Sequence, residues 1–356
     1  MPYKISGNTS ENSRIIILEQ DTWTTEATVS GVVGAFEVDG LEAGLKVVIA
    51  RDDLGKITGD GYIDAVSYFA GGDRGVFSEA STGMDYITIS TTGNATYFGG
   101  FDRPLIGSTS NGFNGRGILG GGSIGNPGVN IIDYITILSI GDTTDFGDLT
   151  VGRSQLAGTS NNLNNRAIFG GGTTNNSIEV NQNVIDYITI STTGNAADFG
   201  DLLSVNRLLS ATSNGTNDRG IFGGGLLAGA SIYYVTITSL GNATYFGDLT
   251  LGRFYLSATS NLINDRGVFG GGTGGMNLID YITISSLSNA IDFGDLTLLL
   301  YGEGATSNGA NDRGVFGGGG TGTNTISYIT ISSIGDAIDF GDLTSTKAIT
   351  NGLSNG

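Results

Sequence analysis

Six arginines recur along the chain, each followed by a small residue and two apolar ones: Arg74, Arg116, Arg166, Arg219, Arg266 and Arg313. Five aspartates follow a Phe-Gly pair: Asp148, Asp201, Asp248, Asp295 and Asp342. Guanidinium and carboxylate groups in these numbers could bind anions, move protons, or pair with one another. A reactive site needs such groups once. Their return in every unit points instead to a structural role, as Arg–carboxylate forks or turn contacts that tie neighbouring strands. Gly100 stands where the first Asp would be, so one such contact is expected to be missing there.

Other chemistries have less to work with. The chain contains no His and no Cys, which removes the commonest general base, the usual zinc ligands, and every Ser-His-Asp or Cys-His nucleophile. Asp52-Asp53 and Asp142 with Asp145 come nearest to a cation site. Neither has the alternating spacing of a dedicated calcium loop, so both read as solvated turns, and no metal or cofactor is expected. The glycine runs lead from strand to strand rather than into a helix, and no Gly-x-x-x-x-Gly-Lys phosphate cradle occurs.

The elements that must position these residues show in the composition. Glycine takes 62 of 356 positions without a strict every-third period, and proline takes 3, which excludes collagen and argues against a disordered linker protein. The formal charge is −18 with only 14% charged residues, so nucleic acid and anionic membranes would repel the chain. The longest aliphatic runs, Ile15–Leu18 and Val47–Ala50, are far too short to span a bilayer. No basic segment leads into an apolar one at the N-terminus. Synthesis in the cytoplasm without membrane insertion is expected, with any role outside the cell following lysis.

An internal repeat dominates. After each Arg-(Gly/Ala)-apolar-apolar element comes Tyr-(Ile/Val)-Thr-Ile, starting at Tyr86, Tyr134, Tyr187, Tyr234, Tyr281 and Tyr328. Phe-Gly follows at Phe98, Phe146, Phe199, Phe246, Phe293 and Phe340, and a small-residue segment ends in Ser-Asn at Asn111, Asn161, Asn214, Asn261, Asn308 and Asn355. Each element alternates like a strand and is bounded by Gly or Asn-Gly, which predicts an all-β chain of six four-stranded units. Lettering them A (Ser-Asn), B (Arg-Gly), C (Tyr-Ile-Thr-Ile) and D (Phe-Gly) exposes one orphan at each end. The first B strand, Arg74–Phe77, has no A strand before it, and the last A segment has no B strand after it. A ring in which residues 346–356 supply the missing strand resolves both, and an open array would leave two exposed edges. The A segments are rich in small residues and are therefore placed innermost.

Arg-Gly-Ile-Phe-Gly-Gly-Gly, then a strand with Tyr, then a strand with an aromatic, resembles the kelch repeat over residues 70–356, which implies a six-bladed β-propeller closed by the C-terminal strand. The pattern departs from kelch in using Phe where the last aromatic is usually Trp, and in blade one, where Phe77-Ser78-Glu79 replaces the glycines. Residues 1–66 lack the repeat and hold the only Trp, Trp23. Their Gly34–Val47 stretch alternates apolar and polar residues around a Gly-Leu-x-x-Gly turn and resembles a carboxypeptidase-regulatory or transthyretin-like β-sandwich, a small adaptor module. A boundary is expected between Ala65 and Gly72.

Register arithmetic locates the freedom in the fold. Tyr of strand C and Phe of strand D are 12 residues apart in all six units, whereas the last apolar residue of strand B and the Tyr of strand C are 9, 15, 18, 12, 12 and 12 apart. Length varies in the B–C loops, which emerge on one face of a propeller, and variable loops on a constant scaffold are where binding is expected. Candidate contact residues are Asn126, Asn130, Asn175, Asn176, Asn181, Asn183, Asn277 and Asn324. These loops are nearly uncharged and polar, suited to a glycan or a protein surface; drift in solvent-exposed loops would give the same pattern.

A small sandwich joined to near-identical blades, acidic and without Cys or a signal, is similar in type to proteins of tailed bacteriophages. The resemblance implies a non-catalytic virion protein, a capsid decoration or a fibre or tail component, in multiple copies or as a homo-oligomer. Residues 1–66 would dock to other virion proteins and the propeller would be displayed. The alternative expectation is a lectin-like adhesin that grips host-surface glycan with the B–C loop face. An enzyme would need converging groups on the axis, such as two carboxylates and a Tyr.

Overall fold

The computed structural model describes residues 73–354, apart from 80–82, 105, 111–114, 125–126, 162–163, 215–216, 262–263, 275, 308–310, 321, 349 and the side chains of 161 and 164, together with the backbone of four strands before residue 60. Two compact units divide the chain, Met1–Gly71 and Gly72–Gly356. In the first, β1 (Tyr3–Glu19), β2 (Thr25–Leu41), β3 (Lys46–Arg51) and β4 (Ile57–Gly59) form one antiparallel sheet in the order β2-β1-β3-β4. The sandwich reading of 1–66 turns on side chains and connections that lie outside the described residues.

The second unit is a six-bladed β-propeller, without helix among the described residues. Every blade is an antiparallel A-B-C-D meander, and blades two to six follow one another in the chain. Blade one is closed as the orphan strands require. Its A strand is Asn351–Ser354, paired with Arg74–Glu79 so that Gly352 faces Phe77 and Leu353 faces Val76. The six A strands touch one another around the axis and are innermost.

The core is six wedges, one between each pair of adjacent blades. Between blades two and three, Ile118, Ile132, Phe146 and Leu156 meet Ala167, Phe169, Ile188 and Ile190. Between the last blade and the first, Val315, Ile326, Phe340 and Leu343 meet Phe77, Ile87 and Ile89, so the ring is sealed by apolar burial as well as by strand pairing. The glycine after strand B follows from this packing. A Cβ on Gly120 would lie 2.8 Å from the Phe169 ring, and one on Gly317 would lie 3.1 Å from the Phe77 ring. In blade one the equivalent position is Ser78, and the next blade carries Leu119 where the others carry the facing Phe: a larger residue at one position goes with a smaller one at the other.

Candidate functional site

Each recurring arginine is built into the frame. The Arg116 guanidinium lies over the Tyr134 ring, 4.7 Å from its centroid, and Tyr134 meets Phe146 edge-on at 6.2 Å. Its Nη1 donates to the carbonyl of Ile190 in the next blade (2.8 Å). Arg74, Arg166, Arg219, Arg266 and Arg313 repeat the arrangement, donating to Ile137, Ile237, Ile284, Ile331 and Ile89. The constant 12-residue Tyr–Phe spacing is the spacing of this edge-to-face pair.

The aspartates after Phe-Gly do not meet these arginines: among the described residues no ion pair joins the two sets. It is their backbone that works. The amide of Asp148 donates to Asn195 Oδ1 (3.1 Å) and its carbonyl accepts from Ala196 (2.7 Å), both on the C–D turn of the next blade. Asp201, Asp248, Asp295 and Asp342 do the same with Asn242, Asn289, Asp336 and Asn94. Gly100, without a carboxylate, still donates to Asp142 Oδ1 (2.7 Å), so the clasp survives in blade one.

The ion pairs lie elsewhere, at positions the sequence reading did not single out. Four residues before each A strand stands Arg103, Arg153, Asn206, Arg253, Leu300 or Lys347; just before each C-strand Tyr stands Asp85, Asp133, Asp186, Tyr233, Asp280 or Ser327. Across the blade junctions Arg103 pairs with Asp133, Arg153 with Asp186 (2.6 Å), Arg253 with Asp280 (2.9 Å) and Lys347 with Asp85 (3.5 Å). At the two remaining junctions both partners are absent together, as Asn206 with Tyr233 and Leu300 with Ser327. A buried charge is tolerated only with its counter-charge, so the pair is kept or lost as a unit. Burial lowers the Arg153 pKa and raises that of Asp186, each offset in part by the other.

With Arg207 bonded to Glu179 and Gln155, all eleven Arg and Lys side chains of residues 73–354 make internal contacts. Among the described residues no three carboxylates gather to hold a metal ion.

On the loop face, the two longest B–C loops interlock through a Pro127–Asn175 bridge. Asn176 donates to Ser123 Oγ (3.1 Å) and accepts from Ser154 Oγ (2.7 Å) and Gln155 Nε2 (3.1 Å). Asn175 caps the loop tip through the amides of Ser177 and Ile178 (2.9 and 3.2 Å). The Asn181 side-chain oxygen is buried without a partner, Asn183 is half-buried and Asn130 is exposed. Asn277 and Asn324 lie in C strands (Met276–Thr283 and Thr323–Thr330) rather than in loops, and Asn126 lies outside the described residues. These asparagines therefore do not converge. At the tip, Ile178 is 73% exposed.

The convergent feature is a cavity of about 220 Å³ on the propeller axis, lined by the A strands. Its mouth on the loop face is ringed by Gln155, Leu208, Tyr255 and Gly302, each two residues before an A strand and each left-handed (φ 60°, 56°, 56° and 67°). A chain of backbone hydrogen bonds links them: Leu208 to Gln155 (2.9 Å), Tyr255 to Leu208 (3.0 Å), Gly302 to Tyr255 (2.7 Å) and Thr350 to Gly302 (2.8 Å). Tyr255 packs between Phe254 and Tyr301, with ring centroids 5.9 and 6.2 Å away.

Just before their A strands Ile106, Leu156, Leu209 and Leu256 fill the core of four blades; blade one has Thr350 at that place, and blade six has an acid, Glu303, which is 3% exposed. Its Oε1 accepts from Ser257 (3.3 Å), Oε2 has no partner, and burial pushes its pKa up to about 8. Aligning the units would have exposed this Leu-to-Glu exchange. Neither a family model nor a curated protein matches the chain.

Proposed function

We propose that the chain is a non-catalytic structural protein of a virus particle, displaying its propeller while residues 1–66 dock to other virion proteins. The observation that carries the non-catalytic reading is the state of the groups that could react. Every cation of the propeller serves the frame, and among the described residues the axial cavity is lined by a single carboxyl, Glu303, and a single phenol, Tyr255, where a glycoside hydrolase uses two carboxylates. The kelch-like repeat and the phage-like union of a small β module with near-identical blades support the setting. Mass spectrometry of purified particles from a host carrying the gene tests it: the full chain should be present at fixed stoichiometry and lost on disrupting β1. Particles that form and infect without the chain would refute it.

A second reading, adhesion to host glycan through the loop face, is favoured by the two longest B–C loops, which interlock through Pro127 and Asn175 and present a tip whose one charge, Glu179, is paired with Arg207. Shortening 176–180 should then abolish cell attachment while leaving the circular dichroism spectrum intact.

A further inference from the structure

We propose that Lys347 and Asp85 join in an amide bond, formed by the protein's own side chains, that locks the propeller at its seam. Two departures from the repeat meet there. Three other junctions place an arginine beside the aspartate (Arg103, Arg153 and Arg253), whereas the seam between blades six and one has Lys347, the sole lysine of residues 73–354. The other blades follow strand B with Gly-Gly, whereas blade one has Ser78-Glu79, and the register sets Glu79 opposite Gly83. The Gly83 carbonyl accepts from the Lys347 amine (3.0 Å), so the lysine and the glutamate reach the same place. The exchange of cation matters chemically. A guanidinium keeps its charge and does not attack a carboxyl, but an amine becomes a nucleophile once it gives up a proton.

The geometry suits the reaction. Lys347 Nζ lies 3.5 Å from Asp85 Oδ2, and neither side chain exposes any surface. Thr344 holds the carboxyl through both oxygens: its hydroxyl donates to Oδ1 (2.7 Å) and its amide to Oδ2 (3.0 Å). These donors also stabilise the negative charge that gathers on oxygen as the amine attacks. Burial lowers the Lys347 pKa, against the pull of the Asp85 and Glu79 carboxylates. In bulk water the equilibrium favours the separate amine and acid. Here the pair is shut off from bulk water, and groups fixed side by side reach effective concentrations of roughly 10⁵–10⁸ M.

The step balances without any co-reactant. The Lys347 ammonium passes one proton to the Asp85 carboxylate, and the neutral Nζ attacks Cγ. Glu79 takes a second proton from the nitrogen and returns it to the departing oxygen. The C–O bond breaks, one water leaves, and Glu79 is a carboxylate again. The product ties the D strand of blade six (Ile338–Lys347) to the C strand of blade one (Gly83–Thr88) across about 260 residues of chain. The reaction runs once per chain and does not depend on where the chain is displayed.

The test is intact-mass spectrometry of the full chain, made by cell-free translation and sampled over hours. The parent should become lighter than its sequence by one water. Its tryptic digest should contain a branched peptide that joins the segment with Asp85 to the segment with Lys347, uncut after Lys347. Lys347→Arg restores the cation of the other junctions, so it should keep the parental circular dichroism spectrum and its full mass. Glu79→Gln keeps the side chain's size but cannot carry the proton, and should cross-link about a hundredfold more slowly. A folded parent that keeps its full mass and is cut after Lys347 overturns the proposal. So does a loss of water that maps to other residues, or cross-linking at the parental rate in either variant.

Discussion

Replacing Arg153 with Leu leaves the Asp186 carboxylate fully buried, with Thr150 as its remaining side-chain donor. Removing one partner of a buried pair costs about 3–5 kcal/mol. Asp186→Ser strands the guanidinium in turn; it keeps the carbonyls of Gly171 (3.1 Å) and Val184 (2.5 Å) but no counter-charge, so its cost should lie at the lower end, about 3 kcal/mol. The two singles then sum to roughly 6–8 kcal/mol if they act independently. The double variant recreates at this junction the Leu300 and Ser327 combination found between blades five and six, and should unfold within about 1 kcal/mol of the parent or above it. The cost of Arg153→Leu should also shrink as pH falls. Burial has already raised the Asp186 pKa, and without Arg153 the carboxyl can escape its isolation by taking up a proton, which the guanidinium cannot do by losing one. Urea unfolding followed by far-UV circular dichroism is the assay, since the single Trp23 lies outside the propeller. A double variant whose loss equals the sum of the singles would refute the idea that these pairs are kept or lost as units.

Glu303 makes stability fall with pH. Its folded pKa of about 8 lies above the ordinary 4.5, so its contribution is full below pH 4.5 and is lost as pH rises toward 8. The advantage of Glu303→Leu over the parent should therefore grow by roughly 4–5 kcal/mol across that window, and a constant difference would contradict the assignment. Gly294→Ala should cost about 2–4 kcal/mol in the same unfolding assay, because the backbone there is left-handed (φ 144°) and a Cβ would sit 2.5 Å from the Gly335 carbonyl oxygen. Gly314→Ala, where the contacts are the tips of Thr259 and Ile329 side chains, should cost about 1 kcal/mol or less. Deleting residues 351–354 should leave the B strand of blade one uncovered and turn a monodisperse propeller into an aggregating one by light scattering.

The architecture was legible because it is periodic. Strand identity followed from two-residue alternation, the blade count from six returns of Tyr and Phe at constant spacing, and closure from one unpaired strand at each end of the repeat. What stayed hidden is what breaks the period or crosses it. Arg153 and Asp186 are 33 residues apart, one in the connection that enters blade three and the other in that blade's C strand, and only the folded blade brings them together. The recurring arginines were readable as structural, but their partners are a tyrosine face and a backbone carbonyl, and a carbonyl has no letter in the sequence. The loop asparagines drew the eye by composition, yet Asn175 and Asn176 serve the loops' own shape. Glu303 was one acidic residue among 34 until its position could be compared with three leucines.

Pairing Asn351–Ser354 with Arg74–Glu79 joins segments about 275 residues apart in sequence. During synthesis, blades two to six can stack as they leave the ribosome, but the innermost place in blade one stands vacant until residue 354 has emerged. Any chain released or cleaved before that point presents an open strand edge beside an uncapped wedge, so premature termination anywhere in the propeller should yield sticky fragments rather than smaller working rings.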